Sequence, residues 1–293
     1  MIYLVDASVY VFRAYYSVPD AMTDASGRPT NAVYGFTRFL IELLEETAPS
    51  HIAVAFDESL STSFRNDIYP AYKANREPAP EDLQRQIAWC QQAAQSLGLV
   101  TLADGRYEAD DLIGTVARLA RAADVPCTVV TRDKDLAQLL TPGDIFYDFA
   151  GGTRYGHSDV REKFGTTPER IADFLSLTGD SVDNIPGVPG IGKKTASAIF
   201  DVYASLDDVY ADLDGVATLS VRGARTLPAK LQAHRDAAYL AQRLTRIACD
   251  APVPAEIDHY ARQAPDFGGL ETLFDELGIG RALRDRVAAL PAC

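Results

Sequence analysis

The sequence predicts an α/β fold: a central, mostly parallel sheet flanked by helices, continued by a helix–hairpin–helix and a helical C-terminal region. Three observations carry this reading. The apolar runs "MIYLVD", "HIAVAFD" and "PCTVV" have strand length, and each ends at or runs toward an aspartate. Helical stretches separate them, and strands alternating with helices imply parallel pairing with helices on both faces. Beyond about residue 175, "IPGVPGIGKKTA" reads as a glycine hairpin opening a further helix.

In chain order, the first run ends at Asp6 and the second at Asp57. Between them, "AVYGFTRFLIELLEE" from Ala32 has helical periodicity. The stretch "EDLQRQIAWCQQAAQSLG" carries Pro80 just before its start and Gly98 at its end, which are helix start and stop signals. A third helix, "EADDLIGTVARLARAA", begins at Glu108, and the third strand runs into Asp133 and Asp135. Ligands of parallel sheets bind outside the carboxyl ends of the strands, where Asp6, Asp57, Asp133 and Asp135 lie. Glu108, Asp110 and Asp111 open the neighbouring helix, and Asp180 and Asp183, three apart, are expected on one helix face. Each acid alone is explained by capping or by the helix dipole. Capping, however, needs one acid per helix, and here two or three arrive together.

The 293 residues allow one large domain or two smaller ones. Apolar residues make up 47% and charged residues 24%, as in ordinary globular proteins, and nothing approaches the roughly 20 apolar residues of a membrane span. The start, "MIYLVDAS", has no signal-peptide pattern. The four cysteines form no CxxC pair and the four histidines are scattered. This speaks against a structural zinc site or disulfides and for a reducing, cytoplasmic setting. The net charge of −13 by itself opposes a nucleic-acid partner. Clustered carboxylates change that argument, because they repel one another unless protonated or bridged by cations. Oxygen-only ligands suit magnesium or manganese. A pair of such ions about 3.5–4 Å apart serves in-line attack of water on a phosphodiester.

Phosphate-binding features lie beside these acids. Gly190 and Gly192 let backbone approach a ligand closely, the following helix offers its free N–H groups, and Lys193 and Lys194 add charge. Residues 222–246 carry six Lys/Arg against one acid, either a phosphate track or a solvated face. Tyr69, Tyr72, Lys73 and Arg76 interleave aromatics and cations in a proline-punctuated stretch, so they either hold a single strand or pack a core under surface charge.

Together, "LVDAS", "FDESLSTSFRNDIYPAYKANR", "YEADDLIGTVA", "TRDKDLAQLL" and "LTGDSVDNIPGVPGIGKKTA" resemble the 5′ nuclease family. That family includes the nuclease domain of bacterial DNA polymerase I, phage 5′ exonucleases and flap endonucleases. The closing "LETLFDELGIGRALRDRV" also resembles the family, so the likeness covers nearly the whole chain. The resemblance implies metal ligation by Asp6, Asp57, Glu108, Asp110, Asp111, Asp133, Asp135, Asp180 and Asp183. It implies two or three magnesium ions, with manganese substituting, and potassium at the hairpin. Asp6, Lys73 and Arg76 would be catalytic, the two cations lying on a helical arch over about 61–98 that is mobile without substrate. DNA contacts would fall to Arg65, Tyr72, Lys73, Arg76, Gly190, Gly192, Lys193 and Lys194, mainly on the backbone of DNA with a 5′ end or flap.

The expected organisation is a nuclease core over 1–175 and a DNA-binding, helical part over 176–293, acting as a monomer away from membranes. No room remains for a polymerase domain, and the starting methionine favours a free-standing nuclease over an excised fragment. Two other readings stand beside this one. A metal-dependent ribonuclease on a similar sheet would lack residues 186–246, and a non-catalytic DNA-binding module would not need the acids.

Overall fold

The computed structural model describes residues 1–58 and 62–291. Residue 61, where the arch was expected to begin, and Cys293 lie outside the described residues.

The strands are β1 (Ile2–Asp6), β2 (His51–Asp57), β3 (Val100–Asp104), β4 (Cys127–Val130), β5 (Ile145–Asp148) and β6 (Thr153–Gly156). They form one sheet in the order β3-β2-β1-β4-β5-β6, parallel except for β5 against β6. The sequence reading found β1, β2 and β4 and missed the other three. Strands β1 and β4 are buried along their whole length, as expected where helices cover both faces. The half-exposed β3, and β5 with β6 beyond the parallel run, show the apolar signal more weakly.

Alternate residues of β1 enter different cores, because successive side chains of a strand point to opposite faces. Tyr3 and Val5 pack with helices α1 (Ala7–Ser17), α2 (Asn31–Thr47) and, after the short α3 (Phe64–Ile68), α4 (Glu81–Ser96). Ile2 and Leu4 pack on the other face with α5 (Ala109–Ala122). This second core continues, past the short α6 (Val160–Phe164), into α7 (Ile171–Thr178), α8 (Lys193–Phe200), α9 (Leu206–Ala211) and α10 (Leu213–Val216). It extends to α11 (Leu227–Ala233) and α12 (Arg235–Thr245), whereas α13 (Phe267–Glu276) and α14 (Arg281–Ala288) return to the first core. The boundary expected at 175/176 therefore falls inside α7, and both expected parts share these cores.

The strand order reverses between β1 and β4, and that crevice is where a doubly wound sheet binds its ligands. The stretch expected as a helical arch holds, among the described residues, α3, turns and irregular chain over residues 69–80, and α4, which is packed into the first core through Leu83, Cys90, Ala93 and Ala94. One local expectation is corrected. Asp180 and Asp183 do not share a helix face, since α7 ends at Thr178 and a turn closed by an Asp180–Ile185 bridge follows. A helix cannot continue there: Gly179 and Asn184 both adopt left-handed φ, +71° and +56°.

Candidate active site

The strand ends bring carboxylates to the switch point, and short-range hydrogen bonds aim them. Asp6 closes β1, and its carboxylate accepts from Thr131 Oγ1 at 2.8 Å. Asp57 closes β2 and accepts from Ser8 Oγ at 2.6 Å and from the Ala109 N–H at 2.8 Å, which ties β2 to the start of α5. Glu108 is the N-cap of α5 and Asp110 lies in its first turn. Asp133 caps a short 3-10 turn by accepting the Asp135 N–H at 2.9 Å. Capping and convergence coexist here.

Asp6, Asp57, Glu108, Asp110, Asp133, Asp135 and Asp183 line one cleft of ≈ 1140 Å³. Val9, Phe12 and Ile87 give it an apolar wall. Burial and then Asp57 push the Asp6 carboxyl up to about 7, and burial and then Asp133 do the same for Asp135. Burial also raises Asp133, and raises Asp110 well above the carboxylate range with Asp133 as the next cause. Glu108 behaves oppositely. Burial pushes it up, but Lys73 and Arg65 outweigh that and hold it low.

Two expected ligands lie elsewhere. Asp111 is fully buried, and its oxygens take Arg65 Nη1 and Nη2 at 2.7 and 2.8 Å, the Ala248 N–H at 2.8 Å and the Glu108 N–H at 3.1 Å. It anchors α5 and has no free face for a metal. Asp180 is not among the residues lining the cleft; it accepts from the Val182 N–H, and Lys134 Nζ, 3.6 Å away, links it to Asp135.

The DNA contacts expected before α4 change as well. Arg65 is 2% exposed and spends its donors on Asp111, Glu108 and the carbonyls of Leu244 and Arg246, so it bolts α3 to the C-terminal helices and cannot reach DNA. Tyr72 is 3% exposed and its hydroxyl donates to Glu108 at 3.0 Å and Asp183 at 3.3 Å, which leaves no ring face for a base. Lys73, expected to arrive only with substrate, already sits in the cleft. Its Nζ is 2.8 Å from Glu108 and 3.8 Å from Asp183. Arg76 pairs with Asp183. Sequence reasoning missed Ser8 and Thr131, whose only signal is a hydroxyl close to each strand-end acid, and Lys134, between Asp133 and Asp135.

The donors facing the cleft are carboxylate oxygens, with no histidine or cysteine among its lining residues, a set suited to hard divalent ions. Asp135 Oδ1 is buried without a hydrogen-bond partner, as an oxygen kept for a cation would be. Among the described residues no three such side chains are already drawn together as an ion cage, and the positive charges paired with the cluster are Arg65, Lys73, Arg76 and Lys134.

The hairpin lies one turn beyond Asp183. Gly190 has φ +80°, and Gly192 caps α8, presenting exposed Lys193 and Lys194. Most of residues 222–246 folds as a 3-10 turn (Ala224–Thr226), α11 and α12, and Lys230 reaches back so far that a Cβ on Gly190 would meet its Nζ at 2.7 Å. The basic stretch thus meets the hairpin.

Residues 1–165 match the 5′-3′ exonuclease N-terminal resolvase-like domain, and residues 166–268 match the 5′-3′ exonuclease C-terminal SAM fold. The chain belongs to the 5′-3′ exonuclease family. It is 42% identical over 283 residues to DNA polymerase I of Pseudomonas aeruginosa, covering 96% of this chain and 31% of that protein. It is 38% identical over 282 residues to the thermostable DNA polymerase I of Thermus filiformis, covering 96% of this chain and 32% of that one. The chain thus spans about a third of the length of these curated relatives. The fold resembles T5 5′-exonuclease with bound zinc, at TM-score 0.68 and 18% identity over 99% of this chain and 98% of that one. It also resembles the catalytic core of Rad2 in complex with DNA substrate, at TM-score 0.65 and 14% identity over 99% and 92% of the two chains. As a member of this family the chain is a nuclease of the 5′-3′ exonuclease type.

Proposed function

We propose that the chain hydrolyses DNA phosphodiester bonds near 5′ ends and 5′ flaps, selecting its substrate by shape. One observation carries the reading: seven of the nine expected carboxylates converge in a cleft at the sheet's switch point, and burial raises the pKa of four of them. Asp6, Asp57, Glu108, Asp110, Asp133, Asp135 and Asp183 would hold two or three magnesium ions, with manganese able to substitute. Such ions lower the pKa of water and stabilise charge on a phosphoryl oxygen. Ser8, Thr131 and the Ala109 N–H keep Asp57 and Asp6 aimed into the cleft. Lys73 and Arg76 supply the positive charge that faces a phosphate there, where a preplaced cation stabilises the transition state.

The hairpin would hold the downstream duplex by its backbone. Gly190 and Gly192 permit close approach, the N-terminus of α8 offers N–H groups, and Lys193, Lys194 and Lys230 add charge. Potassium at the hairpin carbonyls, a monomeric state, a cytoplasmic setting and a role in replication or repair belong to the same proposal, and kinship with DNA polymerase I supports its DNA partner. We place the junction between the nuclease core and the duplex-holding part near residue 165, where the two matched families meet.

A 5′-labelled flap duplex tests this directly. We expect short labelled products only when magnesium or manganese is present, cut near the single-strand junction. Metal-independent cleavage, or none with either ion, would overturn the reading.

A further inference from the structure

The turn between Asp180 and Ile185 does more than join α7 to the hairpin. It is closed by reciprocal hydrogen bonds, Asp180 N–H to the Ile185 carbonyl at 2.9 Å and Ile185 N–H to the Asp180 carbonyl at 2.7 Å. On the hairpin side, the Val188 N–H donates to the Leu177 carbonyl at 2.9 Å. Gly187 lies so close to α7 that a Cβ there would collide with the Thr178 backbone. The turn and the base of the hairpin therefore move as one piece.

Residues 71–75 are stitched to that piece by three hydrogen bonds to or from backbone. The Asn184 side-chain amide donates to the Ala71 carbonyl at 2.7 Å. The Lys73 N–H donates to the Asp183 carbonyl at 3.0 Å, and the Asn75 amide to the Ser181 carbonyl at 2.9 Å. Lys73 and Asn184 both hold left-handed φ, +54° and +56°. Asparagine tolerates that region better than most residues, whereas lysine pays for it and needs neighbours to hold it there. Lys73 is also the residue whose ammonium enters the carboxylate cleft.

We propose that Asn184 is a positioning residue for Lys73. Through Ala71 it fixes the backbone that carries Lys73, so the cation in the cleft keeps register with the hairpin that holds duplex. This rests on the nuclease reading above. Ion pairing with Glu108 and Asp183 attracts the ammonium but does not choose the backbone conformation, and the stitch does. Asn184 would thus act on cleavage through Lys73 while touching neither substrate nor the cleft.

The test uses the full chain and single-turnover cleavage of a flap duplex, with equilibrium binding measured in calcium. Asn184→Gly allows the left-handed backbone and removes the amide that holds the Ala71 carbonyl. Its cleavage rate should fall about five- to tenfold, the worth of one hydrogen bond, with duplex affinity within about twofold of wild type. Asn75→Ala, on the exposed side of the stitch, should give a smaller fall of the same kind. In a Lys73→Met background, Asn184→Gly should add no further loss, because residues acting through one group are not additive. Full additivity, or a loss confined to binding or to thermal stability, would overturn the proposal. An inactive wild type would instead overturn the nuclease reading on which it rests.

Discussion

The carboxylates around the cleft fall into two sets that differ in who neutralises them. Glu108, Asp111 and Asp183 have cations of the chain's own, namely Arg65, Lys73 and Arg76. Asp6, Asp110, Asp133 and Asp135 crowd one cleft with far less compensation, Asp6 buried and the others partly open to solvent, and all four have raised pKa values. The first set holds elements together: Asp111 with Arg65 joins α3, α5 and the chain after α12. The second set costs stability in the absence of an external cation, because like charges in a desolvated site repel. Their separation shows that a row of acids in sequence mixes structural groups with groups kept for chemistry. Buried partners tell the two apart.

The largest expected effect breaks the second set. Asp133→Asn should lower flap cleavage about a thousandfold, the scale of several kcal/mol of charge stabilisation. Its metal-free melting point should hold or rise, since the change relieves repulsion. Wild-type turnover in this variant would remove Asp133 from the functional set. Next comes the first set. Asp111→Ala takes from buried Arg65 its two-pronged partner and leaves it only Glu108 at 3.4 Å, which should cost about 3–5 kcal/mol in denaturant unfolding. Magnesium affinity of the folded protein, read by calorimetry, should stay near wild type. If affinity collapsed while stability held, Asp111 would belong with the ligands after all.

Lys73 crosses between the sets. It is buried beside Glu108 and Asp183, which outweigh burial and keep its ammonium charged. Lys73→Ala should lower the single-turnover rate about a hundredfold, as for loss of one preplaced donor. Duplex affinity should change little, as the hairpin supplies that contact. A pure binding defect with normal chemistry would mean that Lys73 only guides the strand.

Much of this arrangement was legible from local signals. Three apolar runs ending near aspartate located β1, β2 and β4, and glycine spacing located the hairpin before α8. The signals failed where the deciding partner is remote in sequence. Asp111 looked like Asp110 until Arg65, 46 residues earlier, proved to be its partner. Arg65 was expected among the DNA contacts, yet it donates to the Leu244 carbonyl, 179 residues away. The β5–β6 hairpin carried a usable cue in the glycine pair at 151 and 152, but its flanking strands are only four residues each. The Asp180–Asp183 spacing suggested a helix because spacing alone says nothing of Asn184, whose left-handed backbone makes a turn.

The smallest effect concerns protons. Asp6 and Asp135 have folded pKa values near 7 against 3.8 ordinarily, so between those limits the folded state holds protons that the unfolded state releases. Their contribution to stability is therefore fully present below about pH 4 and is lost as pH rises through 7. Glu108, held low by Lys73 and Arg65, acts in the opposite sense but only in acid, and it adds no slope above pH 5. In chelator, the wild-type melting midpoint should therefore fall between pH 5.5 and 8. In Asp6→Asn it should fall less, by a few degrees, which corresponds to about 1–2 kcal/mol in a chain of this size. Magnesium at pH 8 should restore much of the wild-type loss, because a bound cation replaces the protons. Equal pH dependence in the two proteins would mean that Asp6 shares the compensation of the first set, and the division between the sets would fail at its most buried member.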